Sequence, residues 1–124
     1  MSDNTQVVQD AYGCLERGDI PSLLELLSDD VDWASPEILP VGGNFHGRDG
    51  AGEFFTNVGD KWSELEVKAD DMVADGDHVI ALGHARGKLS SGDSAEYDFS
   101  HVFTVDDGKV TRFREYVFAD DKIG

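Results

Sequence analysis

The chain reads as an α+β fold in which helices come first and a mainly antiparallel sheet follows. Two observations predict this. Apolar residues recur at three- and four-residue spacings in the first half, and from Leu65 onward the period changes to two. The helices precede the strands rather than alternating with them, which separates α+β from a parallel α/β fold. Residues 4–17 form the first helix, with Val7, Val8, Ala11, Tyr12 and Leu15 on one stripe. Gly18 ends it, Asp19 is the N-cap of the next helix and Pro21 lies near that helix's first turn. Leu23, Leu24, Leu26 and Leu27 make a short buried helix that stops at Ser28-Asp29-Asp30. Val31-Asp32-Trp33 is a short strand, and Pro36 to Gly47 reads as a loop. Arg48 or Asp49 opens a third helix carrying Ala51, Phe54, Phe55 and Val58 and ending between Gly59 and Trp62. Strands then run from Leu65 to about Ala74, His78 to Leu89, Ala95 to Val105 and Lys109 to Phe118, and the tail is polar. Asp106-Asp107-Gly108 is a hairpin turn.

The chain has 124 residues, a mass of 13.5 kDa and the length of one domain. Asp and Glu number 26 against 10 Lys and Arg, a formal net charge of −16. Phosphate backbones and anionic membranes need a basic footprint, so neither nucleic acid nor a membrane surface is expected as a partner. The acidic residues are scattered as pairs such as Asp29-Asp30 and Asp70-Asp71. That dispersion fits a hydrated surface adapted to a high-salt cytoplasm, where charge repulsion is screened, better than one acidic patch for a basic partner. The start of the chain lacks a signal-peptide core and no apolar run is long enough to span a bilayer, so a cytoplasmic location is expected. Cys14 is alone, which allows no internal disulfide, and it reads as a small buried residue.

Several strings together carry a family resemblance. They are Arg17-Gly18-Asp19-Ile20, Leu27-Ser28-Asp29-Asp30-Val31-Asp32-Trp33, Phe45-His46-Gly47-Arg48-Asp49-Gly50, His101 through Val110, and Phe113-Arg114-Glu115-Tyr116. With these the chain resembles the nuclear transport factor 2-like superfamily, in its SnoaL-like, ketosteroid-isomerase-related branch, over nearly the whole of residues 1–124. The resemblance implies a cone-shaped, cystatin-like α+β barrel. Three N-terminal helices would pack in a strongly curved sheet around one deep apolar pocket, with a homodimer formed through the outer face of the sheet. It does not define an activity, because this fold hosts isomerases, cyclases, epoxide hydrolases, dehydratases and non-catalytic modules.

The period of two places Tyr97, Phe99, His101, Phe103 and Val105 on one face. On the last strand Thr111, Phe113, Glu115 and Val117 share a face, and on the strand from His78 the set is Ile80, Leu82, His84 and Arg86. Ionisable groups among apolar neighbours are costly unless paired, which makes them candidate site residues, with a structural network as the bland alternative. By the resemblance, His101 takes the place of the isomerase's oxyanion-hole aspartic acid and could donate a hydrogen bond or act as a base. Glu115 and His84 fall where the limonene epoxide hydrolase branch has carboxylates. That branch's arginine place falls on Leu82, leaving Arg86 as the nearest positive charge. The bland reading of Glu115 is an ion pair with Arg86, Arg112 or Arg114. Ser35 stands where the isomerase has its general-base aspartate, and the isomerase's tyrosine falls near Ala11, with Tyr12 one position off and pointing elsewhere. Steroid isomerisation is therefore not expected. Phe118 replaces an aspartate that many SnoaL-like sequences carry at the pocket mouth. His46 reads as structural, Gly47 as a backbone requirement, and Arg48 or Asp49 as helix-start chemistry.

The expected function is a small, cofactor-independent pocket enzyme doing acid/base chemistry on an apolar oxygenated small molecule. The reaction type stays open among isomerase, cyclase, dehydratase and hydrolase. His101, Glu115, His84 and Arg86 are the catalytic candidates, and Trp33, Ser35, Phe54, Tyr97, Phe99, Phe103 and Phe113 the ligand-binding ones. A metal site would need His84, His101 and Glu115 to converge, and none is expected. The alternative is a non-catalytic ligand-binding or dimeric interaction module of the same fold.

Overall fold

The computed structural model describes residues 4–119 and residue 123. Helix α1 spans Asn4–Arg17 and buries Val8, Ala11 and Cys14. Asp19 caps α2, Ile20–Glu25, by accepting a hydrogen bond from the Ser22 amide, and Pro21 sits in its first turn, where a missing N–H costs nothing. That hydrogen bond holds the Asp19 carboxyl below its usual range. Strand β1 covers Leu27–Ser35, β2 Gly43–His46 and α3 Gly47–Lys61. The remaining strands are β3 Trp62–Asp75, β4 His78–Leu89, β5 Ser94–Asp106 and β6 Lys109–Phe118.

One six-stranded sheet results, in the order β2-β1-β6-β5-β4-β3. Among the described residues only the β1–β6 pair is parallel. The Asp107-Gly108 turn joins β5 to β6 with positive φ at both residues, 54° and 76°, as a tight two-residue hairpin requires. The concave face carries the core. Val8 of α1 and Ala51 and Phe54 of α3 pack against Leu27, Val31 and Trp33 of β1 and against Phe103, Val105, Val110 and Phe113.

Five expectations are corrected. Leu27 leaves the second helix and starts β1, because it pairs in parallel with Val110 and is 1% exposed. β1 therefore runs through the polar Ser28-Asp29-Asp30 stretch rather than beginning at Val31. The loop from Pro36 to Gly47 contains β2, a short edge strand whose backbone pairs with β1 and whose composition carries no period of two. β3 begins at Trp62, directly after the helix, rather than at Leu65. The tail is not wholly polar: Ile123 is buried against the cluster of Leu39, Trp62 and Leu89, and its amide donates to the Ile38 carbonyl. Residues 120–122 and 124 lie outside the described residues.

Gly47 does need its glycine. Its φ is +75°, and a Cβ would lie 3.2 Å from the Asp29 carbonyl. Arg48 does not act at the helix start alone. It donates to the Leu27 carbonyl and pairs with Asp29, tying α3 to β1.

Curvature is built where β4 meets β3. The inward residues of β4 are small, Ala81, Gly83 and Ala85, and the β3–β4 register slips near Ala69. A Cβ on Gly83 would lie 2.0 Å from the Lys68 carbonyl oxygen and 2.7 Å from the Phe99 ring. Gly83→Ala should therefore cost roughly 1–3 kcal/mol by overpacking. Urea unfolding of the variant checks this, and an unchanged midpoint would contradict it.

Candidate functional site

The concave face and the helices line a partly open cavity of about 90 Å³. One water needs roughly 10–15 Å³ on the same measure, so the space admits several waters or a small ring. Its walls are mainly apolar and aromatic, with Trp33, Phe54, Phe55, Trp62, Phe103 and Phe113 prominent. Tyr12, Ser35, Tyr97, His101 and Glu115 supply polar atoms. Among the described residues no lysine or arginine lines it.

Four of the polar groups form one chain. The Ser35 hydroxyl donates to Glu115 Oε1 at 2.7 Å. His101 Nε2 lies 2.9 Å from Glu115 Oε2, and His101 Nδ1 lies 2.6 Å from the Tyr12 hydroxyl. The side chains of His101 and Glu115 are 8% and 7% exposed. The backbone explains the meeting: His101 and Glu115 are register partners across β5–β6, Ser35 ends β1, and Tyr12 projects from α1. The His101 ring is stacked on Phe99, with centroids 3.8 Å apart, and Phe113 meets it edge-on.

Proton placement follows from donor chemistry. Burial, and secondarily the Glu115 charge, push the Tyr12 phenol far above its ordinary value, so it keeps its hydrogen. With the imidazole neutral and its hydrogen on Nε2, Tyr12 donates to Nδ1 and Nε2–H donates to the Glu115 carboxylate. The tautomer is thus assigned from the network. Burial and the Glu115 charge raise the Tyr97 phenol in the same order of cause.

The sequence candidates divide. Trp33, Ser35, Phe54, Tyr97, His101, Phe103, Phe113 and Glu115 line the cavity. Phe99 does not line it and instead backs His101 from within the sheet. His84 and Arg86 are on the outer face. His84 pairs with Asp70 at 2.8 Å, and Arg86 is 67% exposed with Glu66 3.9 Å away. The period of two grouped these residues correctly but gave no sign of which side was inside, because between Val79 and Leu89 the inward side of β4 is only alanine and glycine. His84, His101 and Glu115 therefore do not converge. Phe118 also lies on the outer face, 75% exposed, rather than at a pocket mouth. Glu115 is held by serine and histidine, not by an arginine; Arg114 pairs with Asp32. Tyr12 does not point elsewhere. It lines the cavity, and its place on the apolar stripe of α1 was the available signal.

The class of architecture is a curved sheet folded over helices, with an apolar cavity bordered by one internal polar chain. Comparison supplies the family. Residues 8–113 match the SnoaL-like domain, and the chain belongs to that family. A nuclear transport factor 2-like protein of unknown function from Burkholderia pseudomallei is 30% identical, with a TM-score of 0.88 over 95% of this chain and 92% of that one. TerC, co-crystallised with polyporic acid, is 27% identical, with a TM-score of 0.84 over 94% of this chain and 92% of its own. A Mycobacterium tuberculosis protein in complex with estradiol-17beta-hemisuccinate shares the fold at 21% identity, with a TM-score of 0.80 over 98% of each chain. No curated protein matches the sequence. Among the described residues no helix is long and apolar enough to cross a membrane, and no group of three or more His, Cys, Asp or Glu residues is arranged to hold a metal ion.

The raised tyrosines make a test. A phenol whose folded value lies above its unfolded one ionises first in the unfolded chain, so this contribution to stability is lost as pH rises past about 10. The folded protein just above that pH should show less tyrosinate absorbance per molecule than the same chain in guanidinium. Equal absorbance would contradict the burial of Tyr12 and Tyr97.

Proposed function

We propose that the protein is a SnoaL-like pocket enzyme that moves a proton on a small, mainly apolar oxygenated molecule. The observation that carries this reading is the Tyr12–His101–Glu115–Ser35 chain bordering an otherwise apolar cavity. In the base direction a ligand hydrogen passes to the Tyr12 oxygen while the Tyr12 hydrogen passes to His101 Nδ1. The imidazolium formed is held by the Glu115 carboxylate, and Ser35 keeps that carboxylate in place. Reversal returns the proton, so the same groups serve as acid. The small-molecule complex of TerC supports the ligand class. His101 and Glu115 are the catalytic centre in this reading, with Tyr12 as the contact to ligand and Trp33, Phe54, Tyr97, Phe103 and Phe113 as walls.

Hydrogen–deuterium exchange at the enolisable carbon of a small aromatic ketone, α-tetralone, tests it without knowledge of the natural product. The wild type should accelerate exchange, and His101→Gln should lower the rate by about 100-fold or more while keeping the circular dichroism spectrum. A wild type that binds the ketone but does not accelerate exchange would make the chain a binding module.

The same reading includes a homodimer through the outer face of the sheet. Val73, Leu82, Tyr116 and Phe118 are exposed apolar residues there, and Leu82 and Tyr116 lie in one cross-strand row through Ser100. Phe118→Asp should shift sedimentation toward monomer in molar potassium chloride, where the acidic surface is screened. A monomeric wild type under those conditions would remove the dimer.

A further inference from the structure

We infer that Tyr97 is a ligand-contacting residue whose hydroxyl donates a hydrogen bond to an acceptor oxygen, of carbonyl or ether type, on the molecule the cavity takes up. This rests on the pocket reading above and gives the ligand a second polar contact.

Packing explains the ring of Tyr97 but not its hydroxyl. The residue is 8% exposed, lines the cavity and belongs to the apolar cluster of Leu39, Trp62 and Leu89. Phe99 and Phe103 fill neighbouring inward positions of β5 with rings that carry no polar atom. Across the sheet from Tyr97 stand Ala85 on β4 and then Val67 on β3, whose side chains neither donate nor accept. The Tyr97 hydroxyl accordingly has no hydrogen-bond partner among the described residues. A buried phenol normally has one, because burying a hydroxyl unpaired is costly. The Ser28 hydroxyl and the Trp33 indole N–H also lack partners, but their neighbours cover both almost completely.

The Tyr97 hydroxyl is on the interior side. Burial, and secondarily the charge of the lining residue Glu115, push the phenol far above its ordinary value. Burial is the larger cause, so the hydrogen stays on the phenol wherever the proton of the His101–Glu115 pair resides. A phenol that keeps its hydrogen among apolar walls is a donor without an acceptor. Tyr97 and His101 share one face of β5 and are four residues apart, about 13 Å along the strand. Tyr97 therefore acts at a different place in the cavity from the Tyr12–His101–Glu115–Ser35 chain. Two polar points in an apolar cavity fix which way round a ligand sits.

Calorimetric titration of α-tetralone and of tetralin into the whole chain tests this, because the two share a skeleton and differ in the carbonyl. The wild type should prefer the ketone. Tyr97→Phe should cut that preference by about three- to tenfold and leave tetralin affinity unchanged. The infrared carbonyl stretch of bound α-tetralone should lie lower in the wild type than in Tyr97→Phe, since donation to the oxygen weakens the C=O bond. An unchanged preference or an unchanged stretch in the variant would make Tyr97 a wall and overturn the inference, with the pocket still standing. Loss of the preference in Trp33→Phe but not in Tyr97→Phe would overturn it likewise, by moving the donor to the indole. If Tyr97→Phe does not fold, a wild-type stretch equal to that of the ketone in hexane overturns it alone. Binding of neither probe by the wild type would overturn the pocket reading and this inference with it. None of these readings needs proton transfer to the ketone, so a protein that binds without turnover still answers.

Discussion

The burial of Glu115 is the constraint on which most of the interior depends. A carboxylate 7% exposed among phenylalanines and tryptophans is tolerated only if donors reach both oxygens. The donors come from different parts of the chain: Ser35 at the end of β1 and His101 on β5. His101 is in turn fixed by Tyr12 of α1. One buried charge thus couples the first helix, the parallel β1–β6 junction and the β5–β6 hairpin. Removing any partner leaves a polar atom stranded, which costs more than the net worth of the bond removed.

Curvature is what lets those segments meet. Small inward residues on β4 and the slipped register against β3 bring the Lys68 carbonyl to a position that any Cβ at Gly83 would contest. Phe99 lies across from Gly83 and directly beneath His101. A glycine with no chemistry of its own therefore sets the seat of the imidazole. The aromatic walls do the complementary work of lowering the polarity around the chain, which strengthens each interaction within it.

The sheet has two unlike sides. The inner one holds the aromatic cavity. The outer one holds the exposed pairs His84–Asp70 and Arg86–Glu66, whose worth is small in water, beside the apolar Leu82, Tyr116 and Phe118.

The sequence by itself determined the class of fold. The change from helical spacing to a period of two, the Asp19 cap and the Asp-Gly turn before β6 are local signals with local physical causes, and they survived folding unchanged. The strings around Gly47 and from His101 to Tyr116 pointed to the family, and alternation placed His101 with Tyr97 and Phe103, and Glu115 with Phe113. Only the tertiary structure decided which side of β4 faces inward, because alternation defines two faces and labels neither when one is built of alanine and glycine. It alone extended β1 through a polar run and made a strand of Gly43–His46, since backbone pairing with a distant segment leaves no mark on composition. It also turned Tyr12 toward His101, 89 positions further along the chain, a contact set by how a helix seats in a curved sheet.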